Sequence, residues 1–552
     1  MSVFSLDQLS PIADVARVLG ISTDQLVSFG RDKAKVRLSV LETLRTQRPT
    51  GKLVLVSAIT PTPAGEGKTT TSIGLAQGLR RIGKNATLAL RQPSMGPVFG
   101  RKGGATGGGA SRVEPSNSIN LQFTGDFHAI SAAHNLLAAA LDNRLHFGDT
   151  RLDARQVLWK RALDMNDRAL RNIVIGLGGP AQGVPRTSGF DITAASEIMA
   201  ILCLSESRAD LRSRIDRIVV GYTKHGKEPV LAGEVGVTGA LAAILNEAIE
   251  PNLVQSREGA PAFIHGGPFA NIAHGCNSVL STRMALATGD YAVTEAGFAF
   301  DLGGEKFFDI KCRAAELNPA AIVLVATVRA LKMHGGVALE DLKVANPGAV
   351  EHGTENLAAH LEGAAQFGKP VVVAINQRLE DQREELAVIH QFCTSRGIAC
   401  ATADVFGQGG AGALDLAEKV VMAAENNTPY RPLYGLELPL TRKVETIAQK
   451  IYGAADVTFS AEAQNKLRKL TRLGYGTLPV CMAKTQDSLS DNPKLRGRPR
   501  GFTLNVRDVE LAAGAGFVVA LTGEIVRMPG LPERPAAERI DVNSDGEIVN
   551  LE

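Results

Sequence analysis

The chain has 552 residues, too many for one ordinary domain and, at about 150 residues per domain, enough for two to four. Hydrophobic residues make up 44% and charged residues 21%, a globular balance that excludes wholesale disorder, collagen-like repeats and a coiled coil. With 60 basic against 57 acidic residues interspersed, and one Trp with six Tyr for base stacking, nucleic-acid binding is disfavoured.

No segment reaches the roughly 18 apolar residues needed to cross a bilayer. The nearest runs, 320–328 and 511–521, end at charged or polar residues. The opening residues, MSVFSLDQLSPIADVARVL, have neither the basic start nor the apolar centre of a secretory signal, and their acids weigh against a transit peptide. The expectation is a cytoplasmic protein with no membrane partner. Cys203, Cys276, Cys312, Cys393, Cys400 and Cys481 are widely spread with no C-x-x-C pair, so they read as reduced, buried small hydrophobes rather than as metal ligands.

In chain order, residues 53–60 form a continuous apolar run of strand length, and 69–82 have helical apolar spacing that stops at Gly83. Residues 86–90 read as the next strand. Further buried strands are expected at 171–177, 217–221, 322–327, 371–375 and 399–403, with helices at 192–203, 379–395 and 413–424. Uninterrupted apolar strands alternating with helices predict an α/β fold built on a mainly parallel sheet covered on both faces. Residues 335–353, rich in Gly, Pro, Asn and His, and residues 426–436, with two prolines and two tyrosines, look like boundaries. They divide the chain into a large N-terminal nucleotide-binding α/β domain (1–340), a smaller α/β domain (341–430) and a C-terminal domain (431–552).

Between the first strand and the first helix lies TPAGEGKTTT at 62–71, a P-loop in its proper strand-to-helix context, which makes the large domain P-loop NTPase-like. Thr62, Pro63, Ala64, Gly65, Glu66, Gly67, Lys68 and Thr69 are the candidate nucleotide contacts. Gly65 and Gly67 let the backbone curl so that successive N–H groups face one phosphate. Lys68 would bridge the β- and γ-phosphates, and Thr69 would hold Mg²⁺. Thr62 stands where the strict pattern has its first glycine. This loop alone does not choose between a motor, a switch and a synthetic enzyme.

Directly after the second strand, Arg91 opens a loop in which seven glycines fall among the fourteen residues 96–109, with Arg101 and Lys102 between them. At the carboxyl edge of a parallel sheet such a loop lies where ligands bind. With this loop the chain resembles the formate–tetrahydrofolate ligase family over essentially its whole length. The resemblance is carried by TPAGEGKTTT, by the 91–109 loop, by NLQFTGDFHAI at 120–130 and by FDITAASEIMA at 190–200. FIHGGPFANIAHGCNS at 263–278, TEAGF at 294–298, DIKCR at 309–313 and ATVRALKMHGG at 326–336 extend it.

The resemblance implies three domains with the active site between the first two, and a homotetramer. It also implies joining of formate to N10 of tetrahydrofolate at the expense of ATP with Mg²⁺, through formyl phosphate, with a monovalent cation as an optional accessory. Lys68 and Arg91 are then expected to be catalytic, Arg91 clamping the acyl phosphate with its planar guanidinium. Asp126 is a third candidate, as proton acceptor for N10, as an organiser of cations, or as a buried acid satisfying backbone N–H groups. His128, His134, His265, His274, Lys332, His334, Glu295 and Asp301 read as satisfied polar residues, Lys332 and His334 being placed to support the site. For the pterin ring the family implies a Phe after the Ile-Asn pair and a Trp before the next glycine run, where this chain has Arg378 and Phe406. Gln122 stands where the family has His, and Thr187 with Ser188 replace an acidic pair. The competing readings are another P-loop ligase activating a different acid, and a nucleotide switch without an acyl acceptor.

Overall fold

A computed structural model describes residues 9–47, 49–102, 104–224, 227–426, 428–523 and 525–551. Its frame is a twelve-stranded sheet. The principal strands are β1 (Leu26–Ser28), β2 (Ala34–Val36), β3 (Lys52–Ala58), β4 (Ala86–Leu90), β5 (Ser111–Glu114), β6 (Asn252–Ser256), β7 (Pro261–Ile264), β8 (Tyr291–Glu295), β9 (Pro319–Ala326), β10 (Val371–Asn376) and β11 (Ala399–Ala403). They lie in the order β1-β2-β6-β7-β4-β8-β3-β9-β10-β11, with β5 pairing off β6. From β7 to β11 every neighbouring pair is parallel, and the β1–β2, β2–β6, β5–β6 and β6–β7 pairs are antiparallel.

The apolar runs are uninterrupted because both faces of the sheet are buried and successive side chains point to opposite faces. Leu53 and Leu55 of β3 enter one core with Ile322, Leu324, Val373 and Ile375. Val54 and Val56 enter the other with Val323, Val325, Val372 and Ala374. Helix α1 (Lys68–Arg81) covers this second face with Ile73, Leu75 and Leu79. The first face is covered by α2 (Asp126–His146), α3 (Val328–His334) and α4 (Pro347–Ala365), and α5 (Arg383–Ser395) follows β10. Helix α6 (Leu414–Ala423) joins α1 through Leu416 and Val420. Because β9 pairs with β10, the sheet runs on without a break past residue 340, and residues 341–430 supply its last two strands.

The C-terminal residues build a separate four-stranded mixed sheet from β12 (Asp456–Phe459), β13 (Val480–Ala483), β14 (Thr503–Ala512) and β15 (Phe517–Thr522), in the order β12-β14-β15-β13. Helix α7 (Ala461–Arg472) lies in the β12 to β13 connection. Among the described residues, no helix is long and apolar enough to cross a membrane. All six cysteines are buried free thiols.

Two predicted core strands lie elsewhere. The 171–177 run forms only Ile173–Ile175, a short hairpin strand paired antiparallel with Arg186–Ser188, and Val174 is 55% exposed. Its short apolar run, preceded by Arg171-Asn172 and stopped by Gly176, is left half-buried to exposed with no covering layer among the described residues. The 217–221 run forms Val219–Thr223 in a three-stranded antiparallel sheet outside the main one. The helix expected at 192–203 begins only at Glu197, because Thr193–Ala195 make a 3₁₀ turn and Ser196 caps the helix by accepting from Ile198 N. The helix expected from 379 begins at Arg383, after a fully exposed Leu379.

Helices α3 and α4 approach so closely that a Cβ on Gly353 would lie 2.0 Å from the Leu331 carbonyl oxygen. Gly348 in the same helix has only Asn346 Oδ1, at 3.7 Å. Gly353→Ala is therefore expected to cost about 1–3 kcal/mol by overpacking, whereas Gly348→Ala stays near neutral, both read by urea unfolding.

Candidate active site

The loop from β3 to α1 is shaped by two left-handed glycines, Gly65 at φ 77° and Gly67 at φ 72°. Gly67 caps α1, and a Cβ there would fall 2.3 Å from Asn376 Nδ2. That amide, at the end of β10, donates to the Glu66 carbonyl oxygen at 3.0 Å. The Glu66 side chain turns inward, 1% exposed, where it accepts from Thr62 N at 2.7 Å, from Thr62 Oγ1 at 2.9 Å and from Thr327 Oγ1. Arg329 of α3 donates to the Gly65 carbonyl oxygen at 2.9 Å. Burial, then the neighbouring Arg378 charge, lower the Arg329 pKa. His334 bonds to the Thr60 carbonyl oxygen through Nε2 at 2.9 Å, and His360 and Asn356 of α4 hold the Thr60 hydroxyl. The loop is thus clamped from β10, α3 and α4, while Pro63 and Ala64 stay exposed. Beyond it, α1 runs for 14 residues with no acid in its first turn, a helix N-terminus suited to an anion.

Three adjacent parallel strands deliver the next group. Thr69 Oγ1, just inside α1 after β3, donates to Glu295 Oε2 at 2.7 Å. Glu295 ends β8, which lies between β3 and β4. Its other oxygen lies 3.6 Å from the guanidinium of Arg91, the residue directly after β4. Glu295 is 3% exposed. Arg91 Nε is buried with no hydrogen-bond partner among the described residues. Gly297 gives the guanidinium room, since a Cβ there would stand 2.7 Å from Arg91 NH1. By sequence alone Glu295 reads as a satisfied polar residue; its signal lies in the TEAGF block, whose acid ends a strand beside the phosphate-type loop.

The described part of the glycine-rich loop holds a helical turn at Met95–Pro97 and the strand pair Gly107–Gly108 with β5. The side chains of Arg101 and Lys102 and all of Gly103 lie outside the described residues. Phe406, in the turn Val405–Gln408 beyond β11, rests on this loop. A Cβ on Gly108 would meet the Phe406 ring at 2.9 Å, and Ala110 N donates to the Phe406 carbonyl oxygen at 2.9 Å. Phe406 is 57% exposed and lies near Thr70 of α1 across Gly108. Arg378 follows β10; its backbone N–H donates to Asp381 Oδ2 at 2.8 Å, and its Nε is buried without a partner among the described residues.

Asp126 belongs to a different cluster. It is the first residue of α2 after Gly125 at φ 89°. Oδ1 lies 2.7 Å from Lys35 Nζ, and Oδ2 accepts from Asn252 Nδ2 at 2.7 Å, joining α2 to β2 and β6. Both partners of the ion pair are about 1% exposed. His134 bonds to Ser196, and His265 to Ser278 and the Ala248 carbonyl. Lys332 pairs with Glu385 at 3.0 Å, and of the two residues expected to support the site it is His334 that bonds to the loop among the described residues. His274 is fully buried with neither ring nitrogen bonded among the described residues, and burial, ahead of the nearby Lys311 and Lys306 charges, pushes its pKa down to about 3.

The family model described as formate–tetrahydrofolate ligase matches residues 1–552. A curated formate–tetrahydrofolate ligase of Paracoccus denitrificans (strain Pd 1222) is 54% identical over 545 residues, covering 99% of this chain and 98% of the relative. Matched over its whole length, and with the β3–α1 loop, Arg91 and the glycine loop at one sheet edge, the chain belongs to the formate–tetrahydrofolate ligase family.

Proposed function

We propose that the protein joins formate to N10 of tetrahydrofolate with ATP, through formyl phosphate, at the carboxyl edge of β3, β4 and β8. The observation that carries the site assignment is the Thr69–Glu295–Arg91 bridge, which ties a phosphate-type loop to a guanidinium with an unmet donor. The loop acts as a P-loop: the Gly65 N–H closes the turn onto the Thr62 carbonyl at 2.9 Å, and the N–H groups of residues 66–68 with the Lys68 ammonium bind the triphosphate. The Thr69 hydroxyl and Glu295 carboxylate, oxygen donors 2.7 Å apart, suit Mg²⁺ shared with the nucleotide phosphates. Among the described residues no cluster of three His, Cys, Asp or Glu offers an all-protein alternative. When bound, the ion neutralises charge on the β- and γ-phosphates.

A formate oxygen attacks the γ-phosphorus and ADP leaves. Arg91 then holds the formyl phosphate by two parallel N–H···O bonds. N10 attacks the formyl carbon, the C–O bond to phosphate breaks with the electron pair leaving on phosphate, and the N10 proton passes to solvent water. Phe406, exposed over the glycine loop, supplies an apolar face for the folate, and Arg378 a guanidinium plane. Asp126, with both oxygens engaged, enters as a positioning group that fixes α2 against β2 and β6.

In this proposal residues 1–340 bind the nucleotide, residues 341–430 contribute to the folate site and residues 431–552 form the C-terminal segment. Cytoplasmic residence, an accessory monovalent cation and the homotetramer implied by the family belong to it too. Exposed Val174 and Leu177 on the hairpin offer apolar surface of the kind an interface buries.

10-Formyltetrahydrofolate is expected only when ATP, formate and tetrahydrofolate are all present; ATP turnover with any other acid and no formate requirement would favour a different ligase. Arg91→Ala is expected to lower kcat about 10²- to 10³-fold, with Arg91→Lys recovering part of it. Glu295→Gln should weaken MgATP binding about 10- to 100-fold in calorimetry and leave metal-free ATP binding unchanged. Phe406→Ala should raise KM for tetrahydrofolate roughly tenfold with little change in kcat.

A further inference from the structure

A cavity of about 400 Å³ lies between the N-terminal part of the chain and the C-terminal sheet, and none of the residues proposed to bind ATP, formate or folate lines it. Its aromatic walls are Trp159, the one Trp of the sequence, and Tyr222. Trp159 stacks on His134 with ring centroids 4.1 Å apart and 21° between planes, and its Nε1 is fixed by the His134 carbonyl at 3.1 Å. Burial lowers the His134 pKa to about 3, so this wall is neutral as well as flat.

Most charges around the cavity are paired, but among the described residues two make no ion pair: Lys469, and Glu197, whose Oε1 accepts from Gly514 N at 2.8 Å and Ala515 N at 3.2 Å. Lys466 of α7 has Asp508 at 2.6 Å and Glu462 at 2.9 Å. Arg527 binds Asp191 Oδ2 at 2.8 Å, Glu510 at 2.6 Å and the Ala195 carbonyl at 2.9 Å. Lys469, one turn beyond Lys466 on α7, makes no ion pair among the described residues; its ammonium sits 3.1 Å from the centroid of the Tyr222 ring. Asp191 Oδ1 is the complementary case, a buried acceptor with no hydrogen-bond partner among the described residues and only Lys160 Nζ at 3.8 Å.

A partly desolvated cation without a carboxylate, an unmet buried acceptor and flat apolar walls are all costly to leave as they are. One ligand class satisfies all three. We propose that this inter-domain cavity is a second binding site, separate from the active site, for a small planar aromatic carboxylate that carries a hydrogen-bond donor at its far end. The carboxylate pairs with Lys469, the ring lies against Trp159 and Tyr222, and the donor reaches Asp191 Oδ1.

Since Trp159 is the sole tryptophan, its fluorescence reports on this cavity alone. Full-length protein titrated with 4-hydroxyphenylacetate, excited at the red edge of the tryptophan band, should show saturable quenching that saturating MgATP and tetrahydrofolate leave unchanged. Phenylacetate, lacking the donor, should bind more weakly, and tyramine, which replaces the carboxylate by a cation, should not saturate. Lys469→Gln should weaken 4-hydroxyphenylacetate about tenfold while circular dichroism and ligase activity stay as in the parent. Linear, non-saturating quenching, equal affinity in Lys469→Gln, or displacement by either substrate would overturn the proposal.

Discussion

Parallel pairing of β3, β4, β8, β9 and β10 is the constraint on which the rest depends. It forces each strand to leave the sheet at the same edge, so residues far apart in sequence are delivered to one place. Thr69, Arg91 and Glu295 follow or end three adjacent strands, and Arg378 follows a fourth. Loops on a rigid sheet can be irregular because two buried cores hold the strands beneath them.

Rigidity of the loop is achieved with the side chain least expected to provide it. Glu66, placed by position among nucleotide contacts, points inward and satisfies Thr62 and Thr327 instead. A buried carboxylate accepting several hydrogen bonds is stable where an unpaired one is costly. That arrangement turns the loop outward at Pro63 and Ala64 and leaves the two glycines in their left-handed conformation. Catalysis by preorganised dipoles needs such stiffness, since a donor that must reorient during the reaction contributes less.

Much of this is legible in the sequence. Apolar runs such as 53–60 and 371–375 announce strands buried on both faces, and Gly65, Gly67, Lys68 and Thr69 announce a phosphate-type turn. Arg91 stands out because it follows a strand and opens a glycine loop. Glu295 does not, because an acid at a strand end looks the same whether it meets solvent, a core lysine or an arginine from a neighbouring strand end; only the order of β3, β8 and β4 distinguishes them. Asp126 shows the converse. Its block is distinctive, yet its partners Lys35 and Asn252 come from remote strands, and no local pattern encodes them. The run 171–177 misleads for a similar reason, since apolar content without a second layer gives a surface hairpin. The continuity of β9 with β10 is likewise hidden, because a Gly- and Pro-rich stretch can mark either a domain boundary or a crossover within one sheet.

The central claim is that formate attacks ATP before folate is acylated, and oxygen tracing tests it most directly. With formate carrying ¹⁸O in both positions, one formate oxygen is predicted to appear in the released phosphate and the other in the formyl group of the product. Phosphate free of label, in a reaction that still yields 10-formyltetrahydrofolate, would contradict both the formyl phosphate route and the role of Arg91 in holding that intermediate.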